Sequence, residues 1–346
     1  MKISVIGTIM RDEIHTVTGE KRESFGGILY NVITLASLTR STDTIEPICF
    51  VGKKHLESIK NTYFEMLPQI RLLSLKTCDQ GTDENVLTYR TDSDRDEKMT
   101  IHTPPLSDEQ ISAAASSAAI LVNIINGREM TLEQLAALRG QSRGHIHLDI
   151  HNLGKTISPD GSLVPTGLPN WRDWLKLVDS VQANEWEIQL LTGKKPETEE
   201  EYRTSILQLM SVSEIKAAAI TIGGKGAIMA HRLGDEPDQI YLLRIPALKT
   251  EKVVDTTGCG DCFSSAFVVG MLRYHNPAKA ALMATTLSGL NTRGGGLETL
   301  FMRARKLDKN AQDSFPEIFA QVTEGWFGET VLAEELKKAV ESLNPE

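Results

Sequence analysis

The chain has 346 residues and a net charge of −9, with 40% hydrophobic and 24% charged residues. This composition is typical of a globular protein large enough to bury its own core, either as one α/β domain or as a core domain with a smaller appendage. The acidic balance argues against nucleic acid as a partner, because nucleic-acid-binding proteins normally present a basic face.

The number of cysteines and the lengths of the apolar stretches indicate the cellular compartment of the protein. Four cysteines in a chain of this length do not form a disulfide framework, which favours a reducing environment. The apolar run in MKISVIGTIMRDEIH is interrupted by Arg11, Asp12 and Glu13 and is too short for a signal peptide, and no stretch is long enough to span a membrane. We therefore expect a cytoplasmic protein with no membrane partner.

Strand and helix patterns alternate along most of the chain. KISVIG and IEPICFVG are predicted strands, GGILYNVITLASLTR is a predicted helix, and ENVLTYRTDSDRDEKMTIHT is a predicted polar hairpin outside the main core. Further predicted strands are AAILVNII, HIHLDI, SVQAN and the pair in AAAITIGGKGAIMAH, and further predicted helices are TLEQLAALRG, WRDWLKLV, TEEEYRTSILQLMS, GCGDCFSSAFVVGMLRY and PAKAALMATTLSGLN. This order predicts an α/β fold with a mostly parallel sheet, helices on both faces, and a ligand site beyond the carboxyl ends of the strands.

The stretch VVDTTGCGDCF predicts a strand end that turns directly into a helix. Glycines in such a turn let the backbone approach an anion, and the N–H groups of Gly258, Cys259 and Gly260 would meet it at the positive end of the helix. Asp261, in the first helical turn, is then placed to accept a proton from an attacking hydroxyl. By itself the stretch is weak evidence for an anion site and favours a capped helix start, in which Asp255 or Thr257 is the N-cap.

Cys259 and Cys262 form a C-x-x-C pair, which is also typical of redox dithiols and of half a zinc site. A structural zinc site needs two more ligands, and Cys49 and Cys78 are isolated in the sequence. We therefore expect neither redox nor metal function from the pair. Whether oxidation of Cys259 would block the anion site is left open.

Two other polar clusters have alternative interpretations. His145, His147 and Asp149 lie on one face of a predicted strand, as in some metal-dependent hydrolases, but no further ligand cluster accompanies them. We interpret them as one face of a strand end near a cleft. The acidic stretch DSDRD lacks the glycine of a calcium loop and is predicted to be a solvated hairpin tip.

Several motifs together resemble the ribokinase-like (PfkB) carbohydrate kinase family. DTTGCGD is similar to the family's C-terminal signature except at Cys259, and FGGILYNV is similar to its N-terminal signature. Three further elements follow the family pattern, namely Gly7 with Asp12, the NEWE motif and TIGGKGA. These motifs occur in the family's order over about residues 3 to 296, and they imply a three-layer α/β/α fold with a mostly parallel central sheet and a small β-strand lid.

The resemblance implies a role for each matching residue. The implied catalytic groups are Asp261 as base and Gly258, Cys259 and Gly260 as anion hole. The implied cofactor-binding residues are Thr221, Gly223 and Gly226 along ATP, with Asn184 and Glu187 holding Mg²⁺ through water. The implied acceptor-binding residues are Asp12, Gly26, Gly27 and Asn31. Asp255 and Thr257 would bind a monovalent cation, potassium, through their main-chain carbonyls.

The implied activity is transfer of the γ-phosphoryl group of ATP to a hydroxyl of a sugar or a sugar-like alcohol. The alternatives are a nucleoside kinase on the same fold and a ligand-binding protein without turnover. Residues 1–300 would form the kinase domain, with lid strands within about 12–25 and 84–103 and a homodimer contact through the lid, and residues 301–346 a helical extension. Met10 and Ile28 depart from sugar kinases of the family and leave the acceptor undetermined.

Overall fold

The computed structural model describes residues 1–90, 95–233, 236–294, 296–297, 299–301 and 327–331. Its strands are β1 (Lys2–Ile6), β2 (Ile9–His15), β3 (Lys21–Gly27), β4 (Thr44–Gly52), β5 (Leu75–Cys78), β6 (Asp83–Tyr89), β7 (Arg95–Thr100), β8 (Ala119–Asn123), β9 (His145–Asp149), β10 (Lys155–Ile157), β11 (Leu163–Pro165), β12 (Ser180–Asn184), β13 (Ala217–Thr221), β14 (Ala227–Leu233), β15 (Glu236–Ile245) and β16 (Phe327–Val331).

The α-helices of the same residues are α1 (Leu29–Leu38), α2 (Lys53–Ile59), α3 (Asp108–Ser112), α4 (Leu132–Gln141), α5 (Trp171–Leu175), α6 (Glu185–Thr192), α7 (Glu199–Met210), α8 (Cys259–Tyr274) and α9 (Pro277–Asn291). A π-helical turn spans Lys60–Phe64, and a 3₁₀ turn spans Gly223–Lys225. None of the helices in the described residues is both long and apolar enough to cross a membrane.

A ten-stranded sheet forms the centre, in the order β16-β15-β14-β13-β12-β9-β8-β1-β4-β5. The seven strands from β13 to β5 pair in parallel, and β14, β15 and β16 continue the sheet in antiparallel pairing. The interior strands are almost continuously apolar because helices cover both faces.

Each face of the sheet has its own hydrophobic cluster. Side chains of α1, α8 and α9 pack on one face, as Ile33, Phe263 and Ala281 show. Side chains of α4 to α7 pack on the other face, Trp174 and Ile206 among them. The predicted three-layer α/β/α architecture is therefore confirmed.

A second, small sheet has the order β3-β2-β6-β7, with β2 and β6 parallel and the other pairs antiparallel. The chain leaves the main sheet for the small sheet at Gly7 and Thr8 and returns to α1 at Ile28. The N–H of Ile28 donates to the carbonyl of Thr8 at 3.0 Å, so both crossings lie side by side. The predicted polar hairpin corresponds to β6 and β7. Of the predicted acidic tip, Asp92 and Asp94 lie outside the described residues.

The predicted helical extension differs from the structure where it is described. Phe327–Val331 is a strand that pairs antiparallel with β15, not a helix. The segment FGETV contains aromatic and β-branched residues that favour a strand once a partner edge is available. The other residues of the extension, apart from Phe301, lie outside the described part of the chain.

Candidate active site

The approach to α8 is an exposed segment without regular structure. β15 ends at Ile245, and Val253 and Val254, predicted as a strand end, are 57% and 53% exposed. The prediction of a strand there was wrong: β15 ends at Ile245, and Val253 and Val254 belong to no strand of the described residues. The segment is instead tied down by the N–H of Val254, which donates to the carbonyl of Thr292 at 2.8 Å.

The turn into α8 depends on a glycine. Gly258 has φ +74°, a left-handed conformation that other residues adopt only with strain. A Cβ added there would lie 2.1 Å from Cδ1 of Tyr30, so the backbone packs directly on that ring. The pKa of the Tyr30 hydroxyl is raised by burial and by the charges of Asp12, Asp255 and Asp261. Tyr30 therefore lies between the small sheet and the turn.

Three amides of this turn were predicted to form an anion hole. The N–H of Cys259 donates to the carbonyl of Thr256 at 3.2 Å and is thus used inside the turn. The N–H groups of Gly258 and Gly260 have no partner among the described residues. The side chain of Asp255 closes the same turn, since its two oxygens accept from the N–H groups of Thr257 at 2.8 Å and Gly296 at 3.0 Å.

Asp261 is held by two asparagines. Asn123 at the end of β8 donates from Nδ2 to Oδ1 of Asp261 at 2.6 Å. Asn31 in α1 donates from Nδ2 to the main-chain oxygen of Asp261 at 3.1 Å and to Oγ of Ser265 at 3.2 Å. Burial raises the pKa of the Asp261 carboxyl to about 6, while the hydrogen bond from Asn123 lowers it. The carboxyl group is thus oriented and poised to exchange a proton near neutral pH.

Two further buried carboxyl groups lie close to Asp261. Burial raises the pKa of Glu187 to about 7 and that of Asp149 well above its ordinary value, and the charge of Asp261 raises both further. Three buried acids close to one another are costly to ionise together, and such clusters mark functional sites.

The predicted histidine face forms a hydrogen-bonded chain to Asp149. The ring nitrogens of His145 and His147 lie 2.7 Å and 2.8 Å from Oγ of Ser180, and the other nitrogen of His147 lies 3.2 Å from Oγ of Ser264. The Ser264 hydroxyl is 2.8 Å from Oδ2 of Asp149. Burial lowers the pKa of His145 to about 4 and of His147 to about 3, so both are neutral.

The structure gives no support to the alternative of a metal centre at these histidines. Among the described residues, no group of three His, Cys, Asp or Glu side chains has an arrangement suited to a metal ion. None of the four cysteines forms a disulfide, and Sγ of Cys262 lies 3.3 Å from the hydroxyl of Thr34.

The small sheet brings Asp12 to the same region. Asp12 lies over Gly26, where an added Cβ would be 2.3 Å from its Oδ2. Gly27 has φ +62° and approaches the backbone so closely that a Cβ would lie 2.1 Å from the carbonyl oxygen of Thr8. Met10 and Ile28, which depart from the family pattern, are 2% and 0% exposed and pack in the core.

The residues predicted to lie along the nucleotide end two neighbouring strands. Asn184 ends β12 and is paired in register with Thr221 at the end of β13. Gly223 and Gly226, with φ +49° and +93°, form the turn that follows Thr221. A Cβ on Gly226 would lie 2.1 Å from the carbonyl of Ile245, whereas one on Gly223 would meet nothing.

Asn184 and Glu187 form a capping box at the start of α6. The Glu187 carboxyl accepts from N–H and Nδ2 of Asn184 at 2.8 Å and 2.7 Å, and Oδ1 of Asn184 accepts from the N–H of Glu187 at 3.0 Å. Both side chains thus already satisfy backbone groups, which suits contact with Mg²⁺ through water rather than direct ligation.

Sequence reasoning missed Asn123, Tyr30, Ser264 and Gln182, the last of which accepts a hydrogen bond from Ser264. One usable signal was present: Asn123 is a polar residue at the carboxyl end of a buried, apolar strand, where ligand sites of parallel sheets occur. For Tyr30 the sequence offers no such signal.

Comparison with known proteins finds similarity to carbohydrate kinases. Residues 149–302 match the model of the pfkB family carbohydrate kinases. A segment of 123 residues is 32% identical to a ribokinase of Arabidopsis thaliana and covers 36% of this chain and 30% of that protein. The chain thus spans less than a third of the length of this curated relative.

Solved structures show the same fold. Arabidopsis thaliana ribokinase complexed with ribose and ATP has a TM-score of 0.69 at 18% identity, covering 89% of this chain and 98% of that chain. A pyrophosphate-dependent kinase in the ribokinase family, complexed with a pyrophosphate analog and myo-inositol, has a TM-score of 0.68 at 18% identity, covering 85% and 96%. The fold is therefore that of the ribokinase-like proteins. Residues 149–302, a little under half of the chain, resemble the PfkB family of carbohydrate kinases.

Proposed function

We propose that the protein transfers the γ-phosphoryl group of ATP to a hydroxyl of a sugar or sugar-like alcohol. The observation that carries the proposal is the setting of Asp261, which is buried at the start of α8, oriented by Asn123 and Asn31, and preceded by the glycine turn. A carboxyl group with a pKa raised to about 6 can accept a proton from a hydroxyl at neutral pH.

In the proposed reaction the acceptor oxygen forms a bond to the γ-phosphorus while the bond to the bridging oxygen of ATP breaks. Asp261 takes the proton that leaves the acceptor hydroxyl. The N–H groups of Gly258 and Gly260, at the positive end of α8, stabilise negative charge on the transferring group, and Cys259 joins them only if its bond to Thr256 opens.

Metal ions would be held by residues beside this turn. Asn184 and Glu187 would hold Mg²⁺ through water, and the ion would neutralise charge on the phosphates. Asp255 and Thr257 would offer carbonyls to potassium. The carbonyl of Thr257 already accepts from Nδ2 of Asn291 at 2.9 Å, which leaves it one lone pair for such an ion.

Asp12, Gly26, Gly27 and Asn31 remain the proposed acceptor-binding set, with one refinement. Asn31 is 0% exposed and bonds to Asp261, Ser265 and Asn123, so it acts by positioning the base. Thr221, Gly223 and Gly226 remain the proposed nucleotide-binding set.

The small sheet would act as a lid over the acceptor, within about residues 12–25 and 84–103 of a kinase domain spanning 1–300. It would also provide the contact of a homodimer. We further propose a cytoplasmic location. A nucleoside is the alternative acceptor, and pyrophosphate is an alternative donor because one compared structure is of a pyrophosphate-dependent kinase.

Asp261→Asn tests the proposal. The substitution removes the base and keeps the backbone amides, so turnover should fall by about a thousandfold or more while nucleotide affinity stays the same. ADP or phosphate release would be screened over sugars, sugar acids, sugar phosphates and nucleosides with ATP or pyrophosphate, and affinity measured by calorimetry. Turnover by Asp261→Asn near the wild-type rate would refute the mechanism, and ATP binding without turnover in the wild type would favour a non-catalytic protein.

A further inference from the structure

A buried amide oxygen beside Asp261 has no hydrogen-bond partner. Asn123 is 0% exposed, and its Oδ1 contacts no donor among the described residues. Leaving such a group unpaired is energetically unfavourable, and native structures contain few of them. A group of this kind next to the proposed base therefore calls for a ligand that supplies the missing donor.

The orientation of the Asn123 amide is fixed by a closed series of hydrogen bonds. The main-chain oxygen of Asp261 can only accept, so Nδ2 of Asn31 faces it and Oδ1 of Asn31 faces Asn123. Asn123 must then direct Nδ2 toward Asn31 at 2.9 Å, and the same Nδ2 also donates to Oδ1 of Asp261 at 2.6 Å. Exchanging O and N of Asn123 would break both bonds, so Oδ1 is the unpaired atom.

The small sheet presents a second unpaired amide oxygen. Asn85 on β6 is paired in register with Asp12 on β2, so both side chains lie on the same face of the small sheet. Oδ1 of Asn85 is buried and has no donor among the described residues. The groups on either side of the proposed acceptor position are therefore carboxylate and amide oxygens, which accept hydrogen bonds.

Asp261 and Asn123 have no cationic hydrogen-bond partner in the part of the chain that the structure describes. No lysine or arginine of the described residues bonds to Asp261 or Asn123. Hydroxyl groups donate to such oxygens, whereas a phosphate or carboxylate substituent would be repelled by the nearby acids.

We propose that Oδ1 of Asn123 accepts a hydrogen bond from the acceptor hydroxyl adjacent to the one that is phosphorylated, so that the site selects neutral vicinal diols. The inference rests on the proposed function, because it places the reacting hydroxyl at Asp261. Asn123 then has two roles: Nδ2 orients the base, and Oδ1 accepts a hydrogen bond from the neighbouring hydroxyl.

The experiment compares polyols with analogues that lack one hydroxyl. The probes are myo-inositol, D-ribose and their monodeoxy analogues, with binding measured by calorimetry and turnover by ADP release. Wild-type protein should bind at least one parent polyol about tenfold to a hundredfold better than one of its analogues, because that analogue leaves Oδ1 unpaired. In Asn123→Leu, which is similar in size and has no polar atoms, this difference should disappear.

Two variants keep the test decisive. Gln69→Leu is the matched control, since Gln69 is 6% exposed and also has an unpaired amide oxygen but bonds to Ala36 away from the site, and it should retain the discrimination. Asn123→Asp keeps an oxygen that accepts hydrogen bonds, and it replaces Asn123→Leu as the test variant if the leucine variant does not fold. It should retain the preference and shift the pH profile upward.

The possible outcomes test the role of Asn123 separately from the proposed kinase activity. Discrimination that persists in Asn123→Leu, or is lost in Asn123→Asp, overturns the inference, as does a wild-type protein that binds neither polyol. Discrimination in binding without ADP release supports the role of Asn123 and refutes the kinase. ADP release with a sugar phosphate, together with no discrimination among polyols, supports the kinase and refutes the role of Asn123.

Discussion

Buried carboxyl groups at the two edges of the parallel sheet are in opposite electrostatic states. At the amino edge, Asp179 lies 2.7 Å from Nζ of Lys216 and 2.8 Å from Nη1 of Arg139. Burial would raise the pKa of Asp179, but the hydrogen bond from Lys216 and its other partners hold the pKa below the ordinary value. At the carboxyl edge, Asp149 and Asp261 bond to hydroxyl and amide groups only, and their pKa values are raised.

Asp179 is thus a carboxylate that stabilises the fold, whereas Asp149 and Asp261 are carboxyl groups whose burial lowers the stability of the fold. Paired cations keep Asp179 ionised and join this residue, which precedes β12, to α4 and to Lys216 before β13. The acids near α8 are partly neutral and stabilise little, so a role in chemistry is the better account of them. The following predictions test this division.

The largest effect is expected from Gly258→Ala at the carboxyl edge. The added methyl would collide with Tyr30 and strain the turn, so turnover should fall about a hundredfold or more and the free energy of unfolding by about 1–3 kcal/mol. Gly193→Ala is the control, because Gly193 has φ +80° with open space around it. It should cost about 1 kcal/mol and leave turnover unchanged. Equal loss of activity in both variants would contradict the role of the turn.

Next in size is the difference between Asp179→Asn and Asp149→Asn in stability. Asp179→Asn leaves two cations without their partner and should lower the free energy of unfolding at pH 7 by about 1–3 kcal/mol in urea titrations. Because the folded pKa of Asp179 is lowered, this difference should vanish as pH falls through that pKa. Asp149→Asn should be neutral or stabilising, since burial already favours the uncharged form. If Asp149→Asn lowered the free energy of unfolding more than Asp179→Asn, Asp149 and not Asp179 would be the carboxyl group that stabilises the fold.

A smaller effect concerns pH. The folded pKa of Asp261 is raised to about 6, so the folded state binds the proton more tightly than the unfolded state. Stability should therefore fall by an amount on the order of 1–3 kcal/mol as pH rises from about 4 to about 6, and Asp261→Asn should remove this part of the pH dependence. Turnover should rise over the same range as the base ionises. A flat turnover profile between pH 5 and pH 7 would exclude Asp261 as the base.

The smallest effect is expected from Cys259→Ala. Among the described residues its Sγ makes long contacts with Ser288 and Asn291, and burial raises the pKa of the thiol, so little thiolate exists at pH 7. Turnover should change by less than about twofold, and thiol reagents should label the native protein slowly. Rapid labelling coupled to loss of activity in the wild type alone would restore a redox role.

Contiguous motifs made much of this site predictable. Gly258, Gly260 and Asp261 fall within one turn, and Asn184 and Glu187 within another, so local spacing already defines their geometry. Asn123 is separated from Asp261 by 138 positions and joins it only through the order of strands in the sheet. Periodicity along the chain contains no information on such pairings.

Other errors have equally physical reasons. Val253 and Val254 have the branched side chains of a strand, but both are largely exposed, and the N–H of Val254 bonds to Thr292 rather than to a strand. His145 and His147 were correctly placed on one face of a strand. Their partners, Ser180 and Ser264, lie on separate elements, so the sequence could not show that hydroxyls rather than a metal satisfy them.

The strand β16 has a consequence for the solubility of the chain. Phe327–Val331 pairs with β15 along the outermost edge of a ten-stranded sheet, so a distant segment protects main-chain N–H and C=O groups that would otherwise be open. Truncation of the chain before Phe327 would give a product that keeps every residue of the candidate active site. The product would carry a bare strand edge, and its first defect would be self-association rather than loss of catalysis.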